Sequence, residues 1–264
     1  MVILFDVLSI LAFIFGASIG SFVQVIVTRL NVAPILKGRS KCLSCGEALR
    51  PSDLVPLFSY IYLRGKCRYC KTSYGISALV IELIFGVTFL LLYLLILKGQ
   101  VSLMVSVSWL AYYSLLFIVL GVMALYDRIH SYIPISFISS YLVLTFIMFV
   151  MRFGQDSHLA NLLSPLFVAA PFLLIWLITK GKGLGFGDVI LFFGVGMFFE
   201  TLQGLAVLVI SVWAGALYGL YLKYIVNKKK SGSTAMPFVP FIVLAFLVVL
   251  FTGVDVISIA MLFS

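Results

Sequence analysis

The chain has 264 residues, of which 63% are hydrophobic and 10% charged, and its mean hydropathy is +1.23. A soluble domain is rarely more than half apolar, so this composition excludes a soluble enzyme or binding module. The formal net charge of +9 is explained by basic loops on one side of a membrane, so no nucleic-acid partner is expected.

Apolar runs of about 20 residues recur, each long enough to cross roughly 30 Å of hydrocarbon. In chain order they predict spans at 4–28, 78–97, 104–126, 133–151, 161–179, 187–200, 202–226 and 236–260. The first lacks a basic start and a small-residue cleavage site, and reads as a retained span rather than a signal peptide. The sixth is short and its link to the seventh is tight, so that pair reads either as two helices or as one bent element. No convincing internal repeat or low-complexity segment is visible. The fold class expected is an all-α polytopic membrane protein of about eight transmembrane helices, with one sizeable loop, Arg29 to Ser77. Of the 18 lysines and arginines, only Lys98 and Arg152 fall on the side opposite that loop. This bias places the loop in the cytoplasm and both termini outside.

The loop carries Cys42, Cys45, Cys67 and Cys70 as C-x2-C, 21 residues, C-x2-C. Two such knuckles suit a tetrahedral structural zinc site. A reducing compartment disfavours stable disulfides, and Lys41, Lys66, Arg68 and Lys71 would offset the charge of a four-thiolate complex. A loop this short has little core, so zinc as a staple is the leading reading. A redox-active CxxC pair or two disulfides are the alternatives.

Most acids lie at outer span ends (Asp6, Asp156, Glu200, Asp255) or in the loop (Glu47, Asp53). Glu82, Asp127 and Asp188 remain, each near a cytoplasmic span end, where an ionisable group is a functional candidate. Asp127 closes the third span in ALYDRIHSYIPI, and Asp188 opens the sixth in GLGFGDVILF. Two carboxylates at one depth can share a water, one ionised to deprotonate it and the other protonated to assist the leaving group. Gly185 and Gly187 would open the approach to Asp188 and permit unusual backbone angles. The plainer reading is that each acid merely ends a helix, Asp188 favoured by the dipole at a helix N-terminus.

Six motifs stand in order: Gly20–Leu30 (GSFVQVIVTRL), the two cysteine pairs, the run from Ser59 to Gly86, Asp127 with Ile133-Pro134, Gly185–Asp188 (GFGD) and Met236–Phe241 (MPFVPF). Together they resemble the type IV prepilin peptidases, polytopic leader peptidase/N-methyltransferases of the G-x-G-D aspartyl class. The resemblance runs almost end to end. It implies a first span over 1–28, a cytoplasmic zinc-binding domain over 29–77 and a transmembrane aspartyl peptidase bundle over 78–264. It implies Asp127 and Asp188 as the catalytic pair, and Cys42, Cys45, Cys67 and Cys70 on structural zinc. The implied activity removes the basic leader from type IV prepilins or pseudopilins after a glycine, at the cytoplasmic face of the bacterial inner membrane. S-adenosylmethionine-dependent N-methylation of the new terminus would follow, in the service of type IV pili or type II secretion. Two positions depart from the family pattern: Gln24 stands where Asn is usual, and Ile190 where Lys is usual.

Glu82 is expected either to meet a substrate amine or to partner an arginine such as Arg29. With Gln24 and Arg29 it marks the region where substrate or S-adenosylmethionine would be sought. His130 reads as a headgroup-level residue, and Pro237 and Pro240 as kinks in the last span. A peptidase without methylation and, in another class, a cation-coupled transporter using the two aspartates are the competing readings.

Overall fold

The structure, a computed structural model, describes residues 2–32, 34–35, 38–42, 44–98, 102–153, 159–181, 184–226 and 237–261. Among them it is built from helices and turns, with isolated bridges at Lys41–Ala48 and Lys66–Ser73 and no extended strand. The helices are α1 (Val2–Arg29), α2 (Phe58–Tyr62), α3 (Ser77–Lys98), α4 (Leu103–His130), α5 (Ile135–Phe153), α6 (Leu159–Leu162), α7 (Ser164–Thr179), α8 (Phe186–Phe198), α9 (Thr201–Tyr221), α10 (Val239–Thr252) and α11 (Val256–Met261). A 3₁₀ turn, Pro51–Leu54, precedes α2, and a π-helical turn, Leu222–Val226, prolongs α9.

Five described segments have the length and apolarity to cross a membrane: Val7–Arg29, Ser77–Ile96, Met104–His130, Ile135–Arg152 and Thr201–Tyr224. Three more apolar helices, α7, α8 and α10, are shorter. The chain is a multi-pass helical membrane protein. The 13 residues of α8 span about 20 Å at roughly 1.5 Å per residue, short of the hydrocarbon thickness.

The chain divides into two compact units, 1–118 and 119–264. In the first, α1 and α3 pair antiparallel, with Gly16 and Gly20 at the crossing. A Cβ on Gly16 would stand 2.5 Å from the Phe85 carbonyl and 2.6 Å from Phe89 Cβ, and one on Gly20 would stand 2.9 Å from Phe85 Cβ. Lipid offers no hydrophobic drive between helices, so small-xxx-small spacing earns its place by permitting close backbone approach. Gln24 extends the seam by donating to the Ala78 carbonyl at 3.4 Å. Gly16→Leu is expected to force the pair apart at a cost of about 1–3 kcal/mol, read as a lower midpoint of thermal unfolding in detergent.

In the second unit α8 packs on α5, α7 and α9, and α9 packs on α10 and α11. Gly194 lies against the Tyr141 ring, and a Cβ on Gly196 would stand 2.6 Å from the Ser164 carbonyl and from Pro165 Cα. Buried Tyr141 donates to the Leu191 carbonyl at 3.1 Å and Ser164 to the Phe199 carbonyl at 3.2 Å. The Arg152 guanidinium reaches the Phe198 and Gly196 carbonyls at 3.3 and 3.4 Å, satisfying acceptors the end of α8 leaves unpaired. These bonds hold a helix too short to span on its own.

The sixth and seventh spans are separate helices, the first of their two readings, because Phe199 and Glu200 adopt extended backbone between α8 and α9. One expectation is corrected: the last span is not a proline-kinked helix. Pro240 lies in the first turn of α10, where its missing N–H costs nothing, and Pro237 precedes the helix. The break comes instead at Gly253, whose φ of 69° ends α10 in the left-handed conformation before α11 begins. Lys37, Asp156, His158, Lys182, Gly183, Lys228, Lys229, Lys230 and Met236 lie outside the described residues.

Candidate active site and metal centre

Asp127 lies in the last turn of α4 and Asp188 in the first turn of α8. Both line one cavity of about 900 Å³ within the second unit. Its walls include Tyr132 and Ile133 after α4, Phe172 of α7, Gly185, Gly187 and Ile190 around α8, and Gly215 of α9. Asp127 is only 7% exposed. Its Oδ2 accepts the Val239 backbone N–H at 3.1 Å. The first turn of α10 has orphan amides, and Pro240 leaves Val239 as a donor that the Asp127 carboxylate satisfies. The MPFVPF stretch therefore holds an acid more than a hundred residues away. Sequence reasoning missed this, although a proline at a helix start was the available signal.

The expectation of unusual backbone angles at the glycines beside Asp188 is corrected. Gly185 caps α8 at φ −71°, ψ 140°, and Gly187 lies within the helix, so neither needs angles closed to other residues. Their value is space. A Cβ on Gly185 would stand 3.5 Å from Asp188 Oδ2, and one on Gly187 3.6 Å from Ile133 Cδ1. Small residues here keep the cavity open beside the carboxylate.

His130 is exposed and stacks near the Tyr126 ring, with centroids 4.3 Å apart. The Tyr126 and Tyr132 hydroxyls meet at 2.7 Å. These aromatics brace the turn after α4.

In the first unit the four cysteine sulfurs all lie within 4.8 Å of one another, and Cys42 Sγ is 3.8 Å from Cys70 Sγ. A tetrahedron with Zn–S bonds of about 2.3 Å has S···S edges of about 3.8 Å, so the donor set fits zinc. The two knuckles repeat each other in three dimensions. Cys42 N–H donates to Glu47 O and Gly46 N–H to Cys42 O; likewise Cys67 N–H donates to Thr72 O and Lys71 N–H to Cys67 O. Gly46 and Lys71 occupy equivalent left-handed positions at φ 73° and 59°. No repeat is apparent in the sequence because only the cysteines, the preceding lysines and the backbone pattern are shared.

The Cys67 thiol is lowered to about 6 by the Tyr74 hydroxyl and then by the Cys70 amide. Amides of Cys45 and Ser44 lower Cys42. Both effects favour metal-binding thiolates. Arg68 donates to Asp53 Oδ1 at 2.6 and 2.9 Å, clamping the second knuckle to the 3₁₀ turn, and holds the Asp53 carboxyl below its usual range.

The remaining candidates have partners within the chain. Glu82 Oε2 accepts the Leu57 backbone N–H at 2.8 Å, rather than the expected arginine. Arg29 donates to the carbonyls of Pro34, Ile35 and Arg39, and Gln24 joins α1 to α3. Glu82→Ala is expected to cost about 1–3 kcal/mol by orphaning the Leu57 amide, seen as faster proteolysis around 55–62. Glu82→Gln keeps an acceptor oxygen and is expected to behave as the unmutated protein.

The fold and site define a class: helical membrane proteins with two acids in one cavity and a four-cysteine cluster whose geometry fits a metal ion. Comparison with known proteins narrows it. Residues 14–96 match the bacterial peptidase A24 N-terminal domain, and residues 114–220 match the type IV leader peptidase family. The chain belongs to the type IV leader peptidase family. A Bacillus subtilis prepilin leader peptidase/N-methyltransferase is 28% identical over 95% of this chain and 96% of its own length. One from Pseudomonas putida is 26% identical over 89% and 87%. A Vibrio cholerae relative of the same name is 36% identical, over 31% of this chain and 34% of its own. No solved structure matches.

Proposed function

We propose that the chain is an aspartyl endopeptidase that removes the leader of type IV prepilins or pseudopilins after a glycine, with Asp127 and Asp188 as its catalytic pair. The observation that carries this reading is the shared cavity, set beside the family membership. Asp127, already accepting an N–H, serves as the ionised base. It takes a proton from water as the water oxygen attacks the scissile carbonyl. Asp188 donates a proton to the carbonyl oxygen; as the gem-diol intermediate collapses, Asp127 gives its newly gained proton to the leaving amine and Asp188 takes one back from a gem-diol hydroxyl. The open space at Gly185 and Gly187 admits an extended peptide backbone. Ile190, where the family usually has Lys, lines the same cavity and leaves its wall without that cation.

The basic-loop bias supports a cytoplasmic cleavage face in the bacterial inner membrane, and the cysteine cluster supports one structural zinc, held by Cys42, Cys45, Cys67 and Cys70, that staples the loop. The peptidase chemistry draws on the two carboxylates alone. Methylation with S-adenosylmethionine is supported by the relatives' names. Gln24, Arg29 and Glu82 are engaged in contacts within the chain.

The test is the intact mass of a type IV prepilin co-expressed with this chain. Loss of the leader mass is expected, with about 14 Da added to the product if one methyl group is transferred. Uncut prepilins of both the pilus and the secretion class, beside well-expressed protein, would overturn the reading.

A further inference from the structure

Among the described residues, the loop domain of the first unit carries an exposed apolar face, with the Arg68 guanidinium 6.0 Å from the Tyr62 ring centroid at its edge. Leu54, Val55, Phe58, Ile61 and Tyr62 are exposed, the last three by 70% or more. Within α2 the i, i+3, i+4 spacing places Phe58, Ile61 and Tyr62 on one face. The opposite side of α2 is engaged: Tyr60 packs on Gly65, where an added Cβ would stand 2.8 Å from its hydroxyl. A soluble surface rarely gathers this much aromatic and aliphatic area in so few residues.

The depth of this face is fixed by one hydrogen bond. The Leu57 amide, which opens α2, is bound to Glu82. Glu82 lies in the second turn of α3, in the membrane-crossing segment that starts at Ser77. Five residues at about 1.5 Å each place it roughly 7.5 Å along the span. So α2 starts alongside the first turns of a transmembrane helix rather than out in the aqueous phase. Ile76 and Val80, at the start of that same helix, are exposed as well. Arg64, Lys66 and Lys71, all exposed, follow α2.

We infer that Phe58, Ile61 and Tyr62 form an interfacial anchor that seats the cysteine domain in the headgroup layer of an anionic bilayer, with Arg64, Lys66 and Lys71 on the lipid phosphates. An apolar stripe flanked by cations is the pattern that binds such surfaces. The same cations oppose a basic peptide leader, so a lipid surface fits better than a substrate. Glu82 would then serve as a peg that sets how deeply the domain sits.

The test uses the full chain in vesicles of equal parts phosphatidylcholine and phosphatidylglycerol. Phe58, Ile61 and, as a control, exposed Glu47 are replaced one at a time by p-benzoyl-phenylalanine. After irradiation, intact mass reports what each position touches. Lipid adducts are expected at 58 and 61, with phosphatidylglycerol over-represented and a yield about tenfold above position 47. Equal yields at all three positions, or adducts at 58 and 61 to a protein chain instead of lipid, would overturn the inference. The readout requires no peptidase activity, so its failure would leave the prepilin reading untouched.

Discussion

Asp188→Asn and Asp127→Asn are each expected to leave prepilin uncut, with cleavage reduced about 10³-fold or more, while the protein still accumulates in the membrane. The magnitude follows from removing one proton-transfer group of a pair that acts as a unit. Asparagine matches aspartate in shape, so packing changes little. At position 127 the Asn Oδ1 still accepts the Val239 amide that the carboxylate accepts at 3.1 Å, so the start of α10 keeps its anchor. What is lost is the capacity to take or give a proton beside a peptide. The measurement is the intact mass of co-expressed prepilin, with enzyme level checked by immunoblot. Cleaved product in either variant at the unmutated rate would remove that aspartate from the chemistry. A transporter using the same acids predicts unchanged pilin N-termini in both.

The second large effect concerns the cysteine cluster. Purified protein is expected to carry about one zinc per chain, and Cys67→Ala to lose it. Four sulfurs within 4.8 Å of one another, once ionised, repel unless a cation offsets their charge. Apparent binding energies of structural zinc are about 10–16 kcal/mol, far above what a small loop's apolar core supplies. Removing a buried ligand therefore removes most of what orders the segment. Elemental analysis gives the metal content, and limited proteolysis between residues 41 and 74 gives the order. Full protease resistance in a metal-free sample would refute zinc as the staple and favour the Arg68–Asp53 clamp and the knuckle backbone bonds as sufficient.

How much was legible beforehand differs from residue to residue. The helical spans were, because hydrocarbon forces long unbroken apolar runs. The breaks between them were less so. The one at Phe199 and Glu200 was legible only as one of two readings, since no proline or glycine marks it, and Gly253 ends α10 inside what reads as one apolar run. The cysteine pairs were legible because metal ligands impose fixed spacing. The aspartates stood out because a carboxylate near hydrocarbon is costly. Their supports did not: the Val239 amide, the Leu57 amide on Glu82 and the Tyr141 hydroxyl on Leu191 are all backbone-directed bonds over long sequence separations. A backbone group looks the same at every position in a sequence.

The sequence by itself determined that this chain lies in a membrane, that one loop carries cysteines at metal-ligand spacing and that two acids near span ends call for explanation. Each rests on a cost paid locally: hydrating apolar surface, leaving thiolates unneutralised, desolvating a charge. The tertiary structure decided which acids share a cavity, that α10 holds Asp127 and that Glu82 holds the start of α2. Helices that are apolar all round carry little periodicity to say which face meets which neighbour, and in lipid their association depends on shape and individual hydrogen bonds. Those exist only once the helices have packed.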